Sequence, residues 1–230
     1  MNHWSVIPLL EKGIPKGQGV LFFILFLVSG CVGPHIQTTP VHPTKQPPPA
    51  WLFSGVSPDQ EVKTARYLGK FKVTYYWVVD EKEYPLSRAV PLYTRDGKLL
   101  GRFSSAFVRD FKIESCARLR DGRCISYLKR QDRVVMVDKF LGHGGYTLER
   151  LKSVAVDTDV IPLGSTIYIP QAENVTVNGK RLNGLFYAHD VGSAVNGRHI
   201  DIFIGEKENM SAFALAGLKS SCSVDVYILE

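Results

Sequence analysis

The pattern of hydrophobic and polar positions changes twice along the chain. Residues 20–28 (VLFFILFLV) are apolar without a break, and residues 34–49 contain six prolines among polar side chains. From about residue 66 onward, short alternating runs rich in β-branched and aromatic residues recur between turn signals. Such alternation predicts β-strands with one buried face. We therefore expect the fold to lie in residues 66–230.

Strand predictions cover most of that region. They are FKVTYYWVV (71–79), a hairpin around the turn at residues 95–98, RVVMVD (133–138), KSVAVD, STIYIP, GLFYAHD, HIDIFIG and, at the end, SVDVYILE. The convincing helical pattern covers residues 207–218, and residues 105–111 also admit a short helix. A mainly β chain with one short helix and loop excursions predicts a small closed barrel, because closure removes exposed strand edges.

The amino-terminal residues are typical of an export signal. Lys12 and Lys16 precede nine unbroken apolar residues, fewer than the roughly 20 that a membrane-spanning helix needs. A positive flank, a short apolar core and small residues after it predict a signal peptide over residues 1–30. The ending VSGC (28–31) resembles a bacterial lipobox, so we expect Cys31 to be acylated. The alternative is an ordinary signal peptide followed by a chance cysteine.

Residues 31–65 then form a lipidated cysteine followed by a proline-rich tether. Such a segment cannot bury a core and favours extended polyproline conformations. Val32 follows the cysteine, which in a Gram-negative cell resembles sorting to the outer membrane. The expected location is the periplasmic face of that membrane, with the chain held there by its lipid anchor.

Composition narrows the class of partner. The chain has 230 residues and a formal net charge of +6, which suits an anionic polymer such as a cell-wall glycan and equally suits a mildly basic soluble surface. It shows no nucleic-acid-binding module, so we expect no nucleic-acid partner. The histidines lack zinc-ligand spacing, and we predict neither a metal nor another cofactor.

Three aspartates carry the candidate chemistry. Asp157, Asp190 and Asp201 each end or interrupt an apolar β-type run. A carboxylate against apolar side chains is costly unless it is hydrogen-bonded or paired. Burial there raises the pKa of a carboxyl, which makes acid–base chemistry possible.

Two segments carry a family resemblance. AVDTDVIPLGSTIYI (155–169) and AHDVGSAVNGRHIDIF (188–203) resemble the 3D (Asp-Asp-Asp) domain found in membrane-bound lytic murein transglycosylase A and in small cell-wall-cleaving proteins. The resemblance covers residues 150–230 closely and residues 66–149 less tightly. It implies a six-stranded double-psi β-barrel, with residues 66–149 as its amino-terminal part with insertions. The chain looks too short for the extra inserted domain of the larger enzyme.

The resemblance also implies an activity. A lytic transglycosylase cleaves the β-1,4 bond between N-acetylmuramic acid and N-acetylglucosamine and leaves a 1,6-anhydro ring. The family's single catalytic acid maps onto Asp201, and Asp190 and Asp157 would support it. The expected partner is the peptidoglycan glycan strand, acted on by a monomer. Asp157 also fits a purely structural role as an acceptor of backbone N–H groups, and so does Asp190.

Four further residues are candidates for substrate contact. Glu114 resembles a glutamate of related barrels, although a solvated loop glutamate fits as well. Gly192 belongs to a turn after Asp190 that would aim N–H groups at the carboxylate or the sugar. His189 and His199 flank the aspartates and fit either sugar contact or a structural role.

Other readings remain open. Asp190-Val-Gly resembles the Asp-Thr/Ser-Gly of aspartic proteases, but the hydroxyl and a second such motif are missing. A non-catalytic glycan-binding lipoprotein and a hydrolytic glycosidase are further alternatives, and a nucleophilic cysteine is the weakest. With Cys31 lipidated, three cysteines are left, so one thiol should stay free. Cys116 and Cys124 flank a turn, but a two-residue hairpin there would pair residue 119 with Cys124, and a Cys116–Cys222 or a Cys124–Cys222 bridge fits as well.

Overall fold

The computed structural model describes residues 64–230. The predicted signal peptide, Cys31 and nearly all of the tether lie outside the described residues. The described strands are β1 (Ala65–Trp77), β2 (Val79–Asp80), β3 (Val90–Tyr93), β4 (Leu99–Phe103), β5 (Cys116–Arg118), β6 (Cys124–Leu128), β7 (Arg133–Val137), β8 (Ser153–Val156), β9 (Thr166–Tyr168), β10 (Thr176–Val177), β11 (Lys180–Arg181), β12 (Leu185–Asp190), β13 (His199–Gly205) and β14 (Ser223–Leu229). The α-helices are α1 (Ser105–Glu114) and α2 (Met210–Leu215).

Six strands close into a barrel in the order β1-β13-β8-β12-β9-β14. β1 pairs in parallel with β13 and antiparallel with β14, so the first strand joins the last two. Alternate side chains, among them Phe71, Val73, Ile200 and Ile202, point inward and form the barrel core. The predicted mainly β class is confirmed, and the double-psi path of the connections stays a prediction.

Residues 79–137 form a separate lobe beside the barrel. It contains the four-stranded sheet β2-β5-β6-β7, the predicted hairpin β3–β4 and helix α1. Its own core is built from side chains such as Phe107, Phe111, Ile125 and Val134. Residues 66–149 were predicted to form the amino-terminal part of the barrel. Of the strands in that range, β1 belongs to the barrel sheet, and β2 to β7 belong to the lobe.

The prediction of one short helix is wrong, because the described residues form two α-helices. The longer is α1, which the sequence pattern supported less strongly. The Ser104 side chain accepts a hydrogen bond from the Phe107 N–H and caps the helix, whose apolar side chains are buried. The helix predicted over residues 207–218 is shorter, with a 3₁₀ turn at Lys207–Asn209 before α2.

None of the disulfides that the sequence left open is formed. Cys116, Cys124 and Cys222 are all free thiols. Cys116 packs in a cluster on the outer face of the barrel, whereas Cys222 packs against the barrel core, so the barrel wall separates them. Cys124 lies on β6 opposite Arg118. Within residues 64–230, no helix is long and apolar enough to span a bilayer.

Candidate active site

A cleft of about 590 Å³ lies between the outer face of the barrel and the lobe. The barrel wall presents Thr74 and Tyr76 from β1, Asp190 from β12 and Asp201 from β13. The lobe wall is formed by the end of α1 and by β6, and includes Glu114. The cleft is therefore built from elements that are far apart in the sequence.

Strand alternation explains why Asp201 faces the cleft. Its neighbours Ile200 and Ile202 point into the barrel core, so Asp201 points out. Ile200 and Ile202, the apolar residues next to Asp201 in the sequence, therefore do not surround its carboxyl. Phe203 shares the outer face and packs against Tyr76, with ring centroids 5.1 Å apart.

Asp201 is the least restrained carboxyl of the barrel wall. Its Oδ1 accepts a hydrogen bond from Thr74 Oγ1 at 2.7 Å, and Thr74 lies directly opposite Asp201 in the parallel β1–β13 register. Burial raises the pKa of Asp201 above its ordinary value, and the nearby charge of Asp190 acts in the same direction, whereas the hydrogen bond donated by Thr74 and the charge of a protonated His199 oppose the rise. A carboxyl of this kind is suited to donate a proton and to take one back.

Asp190 is held by three donors. Its Oδ1 accepts from the backbone N–H groups of Val191, at 2.9 Å, and His143, at 3.0 Å, and its Oδ2 accepts from Tyr76 Oη at 3.1 Å. Burial raises the pKa of Asp190, while these three hydrogen bonds oppose the rise. Asp190 thus fastens the loop around His143 and the Tyr76 side chain to the end of β12.

Glu114 faces the cleft from the carboxyl end of α1. Its Oε2 accepts a hydrogen bond from the Trp77 N–H at 3.3 Å. Burial raises the pKa of Glu114 to about 7, and the charge of Asp201 contributes to the rise. The lobe therefore adds a second carboxyl that carries a proton over much of the neutral range.

Asp157 lies outside the cleft lining. It follows β8, and its carboxylate accepts from the N–H groups of Gly197, at 2.6 Å, and Asp159, at 3.0 Å. These backbone hydrogen bonds lower the pKa of Asp157. The side chain holds the loop that leads into β13, which is the structural role described above as its alternative. Gly192, in contrast, does line the cleft.

Neither of the two candidate histidines lines the cleft. The ring of His189 is stacked between Tyr146 and Tyr187, with centroids 4.9 and 5.4 Å away. His199 faces Thr74, with Nε2 2.8 Å from Oγ1, and its Nδ1 lies 3.1 Å from the Ala194 carbonyl oxygen. Of the predicted site residues, the cleft therefore brings together Asp190, Gly192, Asp201 and Glu114.

Sequence reasoning missed the residues that hold these carboxyls. Thr74 lies in a strand pattern without a motif, and the His143 contribution is a backbone N–H group in a glycine-rich loop. Lys129 was also missed; its Nζ donates to Ser193 Oγ at 2.9 Å and bridges the two walls. The one local signal was Thr74 itself, a polar residue in an otherwise hydrophobic and aromatic stretch.

Fold and cleft together define a mainly β protein with a cluster of carboxyl groups in a cleft on the outer face of a barrel. Among residues 64–230, no group of three or more His, Cys, Asp and Glu side chains is placed to hold a metal ion. Residues 152–230 match the family model of the 3D domain. No curated protein sequence matches the chain.

Two solved structures resemble the chain. The first is E. coli MltA with bound chitohexaose, at 17% sequence identity and a TM-score of 0.50, covering 70% of this chain and 72% of that chain. The second is the membrane-bound lytic murein transglycosylase from Agrobacterium tumefaciens, at 16% identity and a TM-score of 0.47, covering 70% and 73%. Residues 152–230 thus match the 3D domain, and the chain is similar in fold to MltA, as the sequence motifs predicted.

Proposed function

We propose that the protein is a peptidoglycan lytic transglycosylase with Asp201 as its single acid and base. The substrate is the β-1,4 bond between N-acetylmuramic acid and N-acetylglucosamine. The observation that carries the proposal is the Asp201 carboxyl, which is buried, has a raised pKa, faces the cleft and belongs to the residues that match the 3D domain. The structural likeness to a protein solved with chitohexaose supports a glycan as the ligand.

One carboxyl is enough for this reaction. Protonated Asp201 donates its proton to the leaving glycosidic oxygen as the bond from C1 to that oxygen breaks. The Asp201 carboxylate then removes the proton from the 6-hydroxyl of the muramic acid, whose oxygen bonds to C1 and closes the anhydro ring. The acid is regenerated, and no water is consumed. Asp190 would support the site by fixing Tyr76 and the loop around His143.

The remaining expectations follow as part of the proposal. Residues 1–30 would be removed, Cys31 would carry the lipid, and the tether would place a monomeric enzyme at the periplasmic face of the outer membrane. A proline-rich tether gives such an enzyme reach along an extended polymer. The barrel would have double-psi connectivity.

Mass spectrometry of the products tests the reaction. The full chain, solubilised in detergent, is incubated with purified peptidoglycan. We expect fragments with 1,6-anhydro ends, which have one water less than hydrolysed ends. Asp201→Asn should lower the rate at least about a thousandfold, the upper range for loss of a general acid, and keep the wild-type fold. No product from the wild-type chain, with glycan binding retained, would identify a non-catalytic binding protein instead.

Glu114 favours hydrolysis as a second candidate reaction. Ordinary glycosidases use two carboxyl groups, one as acid and one as base or nucleophile. Glu114 and Asp201 face the same cleft, and both have raised pKa values. Reducing ends in place of anhydro ends, together with a loss of rate in Glu114→Gln as large as that in Asp201→Asn, would assign this reaction.

A further inference from the structure

A hydrogen-bonded chain leads from the Asp201 carboxyl to the Ala194 carbonyl group. Asp201 Oδ1 lies 2.7 Å from Thr74 Oγ1, which lies 2.8 Å from His199 Nε2. On the far side of the imidazole, Nδ1 lies 3.1 Å from the Ala194 carbonyl oxygen. His199 therefore contacts Asp201 only through the Thr74 hydroxyl, although both side chains belong to β13.

The hydrogens available to these three side chains determine which group donates and which accepts in each hydrogen bond. A carbonyl oxygen can only accept, so the proton of neutral His199 is assigned to Nδ1, and Nε2 is then an acceptor. Thr74 has one hydroxyl proton. If it donates that proton to Nε2, its oxygen can only accept from Asp201, and Asp201 must then be the protonated acid.

The carboxylate form of Asp201 cannot satisfy the same chain. Thr74 must then donate to Asp201, which leaves Nε2 of neutral His199 without a hydrogen. One of two short contacts is lost whenever Asp201 ionises beside neutral His199. The Thr74 hydroxyl lowers the pKa of Asp201 when it donates to the carboxylate, and it raises that pKa when it accepts from the acid. Because unprotonated Nε2 of His199 needs a donor, it favours the arrangement in which Thr74 donates to His199 and accepts from Asp201.

We propose that His199 is a positioning residue that acts through Thr74 to keep Asp201 in its protonated form. The role of Asp201 as the acid rests on the proposed function, whereas the hydrogen-bonded chain does not. In the reaction, the acid hydrogen of Asp201 would first turn from Thr74 towards the leaving oxygen. As that hydrogen is transferred, the Thr74 hydroxyl would rotate from Nε2 to the new carboxylate. It would rotate back when Asp201 takes the proton of the 6-hydroxyl. Thr74 neither gains nor loses a proton.

Other titratable groups also lie near Asp201. They are Asp190 from β12, Glu114 from α1, and Lys72 and Tyr76 from β1. A doubly protonated His199 would reverse the chain, because both of its nitrogens would then donate. It would place a positive charge behind Thr74 and favour the carboxylate.

Nuclear magnetic resonance of the full chain in detergent tests the proposal without an activity assay. With ¹⁵N-labelled histidine, neutral His199 should show a protonated Nδ1 and an unprotonated Nε2. With ¹³C-labelled aspartate, the pKa of Asp201 is read from its carboxyl signal. We expect His199→Phe to lower this pKa by roughly 0.5–1 unit, the size of one neutral hydrogen bond.

Two Thr74 variants separate this role from simple packing. Adding Thr74→Val to His199→Phe should return the pKa of Asp201 towards the wild-type value, because the freed hydroxyl can no longer donate to the carboxylate. Thr74→Ser keeps the hydroxyl and should titrate like the wild type.

The alkaline limb of the pH–rate profile should move to lower pH in His199→Phe by the same amount as the pKa of Asp201, since the acid form of Asp201 is lost at lower pH.

An Nε2-protonated neutral tautomer in the wild-type chain would overturn the proposal, and this measurement needs no variant to fold. An unchanged or raised Asp201 pKa in His199→Phe would overturn it too, because His199 would then act as packing or as a cation. If the titrations follow expectation but no anhydro product forms, the proposed function fails and the hydrogen-bonded chain stands.

Discussion

The two walls of the cleft are built in different ways. Every barrel strand has a hydrogen-bonded neighbour on both sides, because the sheet closes on itself. The four-stranded sheet of the lobe is open and ends on β2 and β7. The barrel wall places its carboxyls on a framework held at every edge, whereas the lobe wall adds Glu114 from a helix end. The chemistry thus lies on the rigid wall, and the lobe completes the cleft.

The carboxyl groups of the cleft differ in how many hydrogen bonds hold them. Asp190 accepts three hydrogen bonds and is fixed, while Asp201 and Glu114 each accept one from within the described residues. A carboxylate with several donors is stabilised in its charged form, and one with few donors more readily keeps a proton. The difference separates a group that holds the cleft together from groups that are able to move protons.

Removing a core ring from the lobe should give the largest difference between the walls. Phe107 is fully buried in the lobe core. We expect Phe107→Ala to cost about 3–5 kcal/mol. Hydrogen exchange should show lost protection in α1 and β5–β7 and retained protection in β1 and β13.

The matched control is Phe186→Ala, which removes an equally buried ring from the barrel core and should lower the protection of the barrel strands. Equal loss in both regions for both variants would show that barrel and lobe unfold as one unit.

The pH dependence of folding stability should show whether Glu114, on the lobe wall, has a raised pKa. The ordinary pKa of a glutamate is 4.5, and that of Glu114 in the fold is raised to about 7. The folded chain therefore binds more protons between these values, and its stability falls as the pH rises through them. Glu114→Gln removes this fall, so the variant should be more stable than the wild type above pH 7, by up to about 3 kcal/mol, and equal to it near pH 4.

Denaturant unfolding at several pH values measures this effect. Asp110, one turn earlier on α1, provides the control, since its hydrogen bond with Arg109 lowers its pKa. Asp110→Asn should lose stability at neutral pH, and the loss should shrink as the pH falls through the pKa range of the carboxyl. A Glu114→Gln variant without any gain at pH 8 would show that Glu114 is charged and satisfied in the fold.

Removal of the α1 cap should give the smallest effect. Ser104 accepts a hydrogen bond from the Phe107 N–H at 3.2 Å. We expect Ser104→Ala to cost about 1 kcal/mol and to increase fraying at the start of α1 alone. Ser105→Ala is the matched control, because Ser105 is exposed and is not the cap. Equal costs for the two variants would argue against a capping role.

Local patterns were sufficient to predict most strands and the motif that carries Asp201. The alternation in HIDIFIG predicted β13, and the final strand was predicted within one residue of its observed end. Alternation places Ile200 and Asp201 on opposite faces of β13, but the sequence could not predict that the Asp201 face is the outer one and that a lobe lies against it. That arrangement depends on the pairing of β13 with β1 and β8, which no local pattern contains.

The same reason explains what was missed at the site. Thr74 is opposite Asp201 only because β1 and β13 run in parallel in this register. The sequence left the disulfide pairing open, because spacing along the chain does not show on which face of the barrel a thiol lies. The length of helix α1 was underestimated from the sequence, because the helix is stabilised by aromatic rings that are buried against the lobe sheet.

The pairing of β1 with β13 and β14 also constrains when the protein can fold. The Thr74–Asp201 contact joins residues 127 positions apart, and β1 has no barrel partner until the last strands have been made. Contacts of such long range form late, because a large loop must close first. During synthesis, the barrel would therefore stay open until β13 and β14 have left the ribosome, whereas the lobe, whose core lies within residues 79–134, could pack earlier.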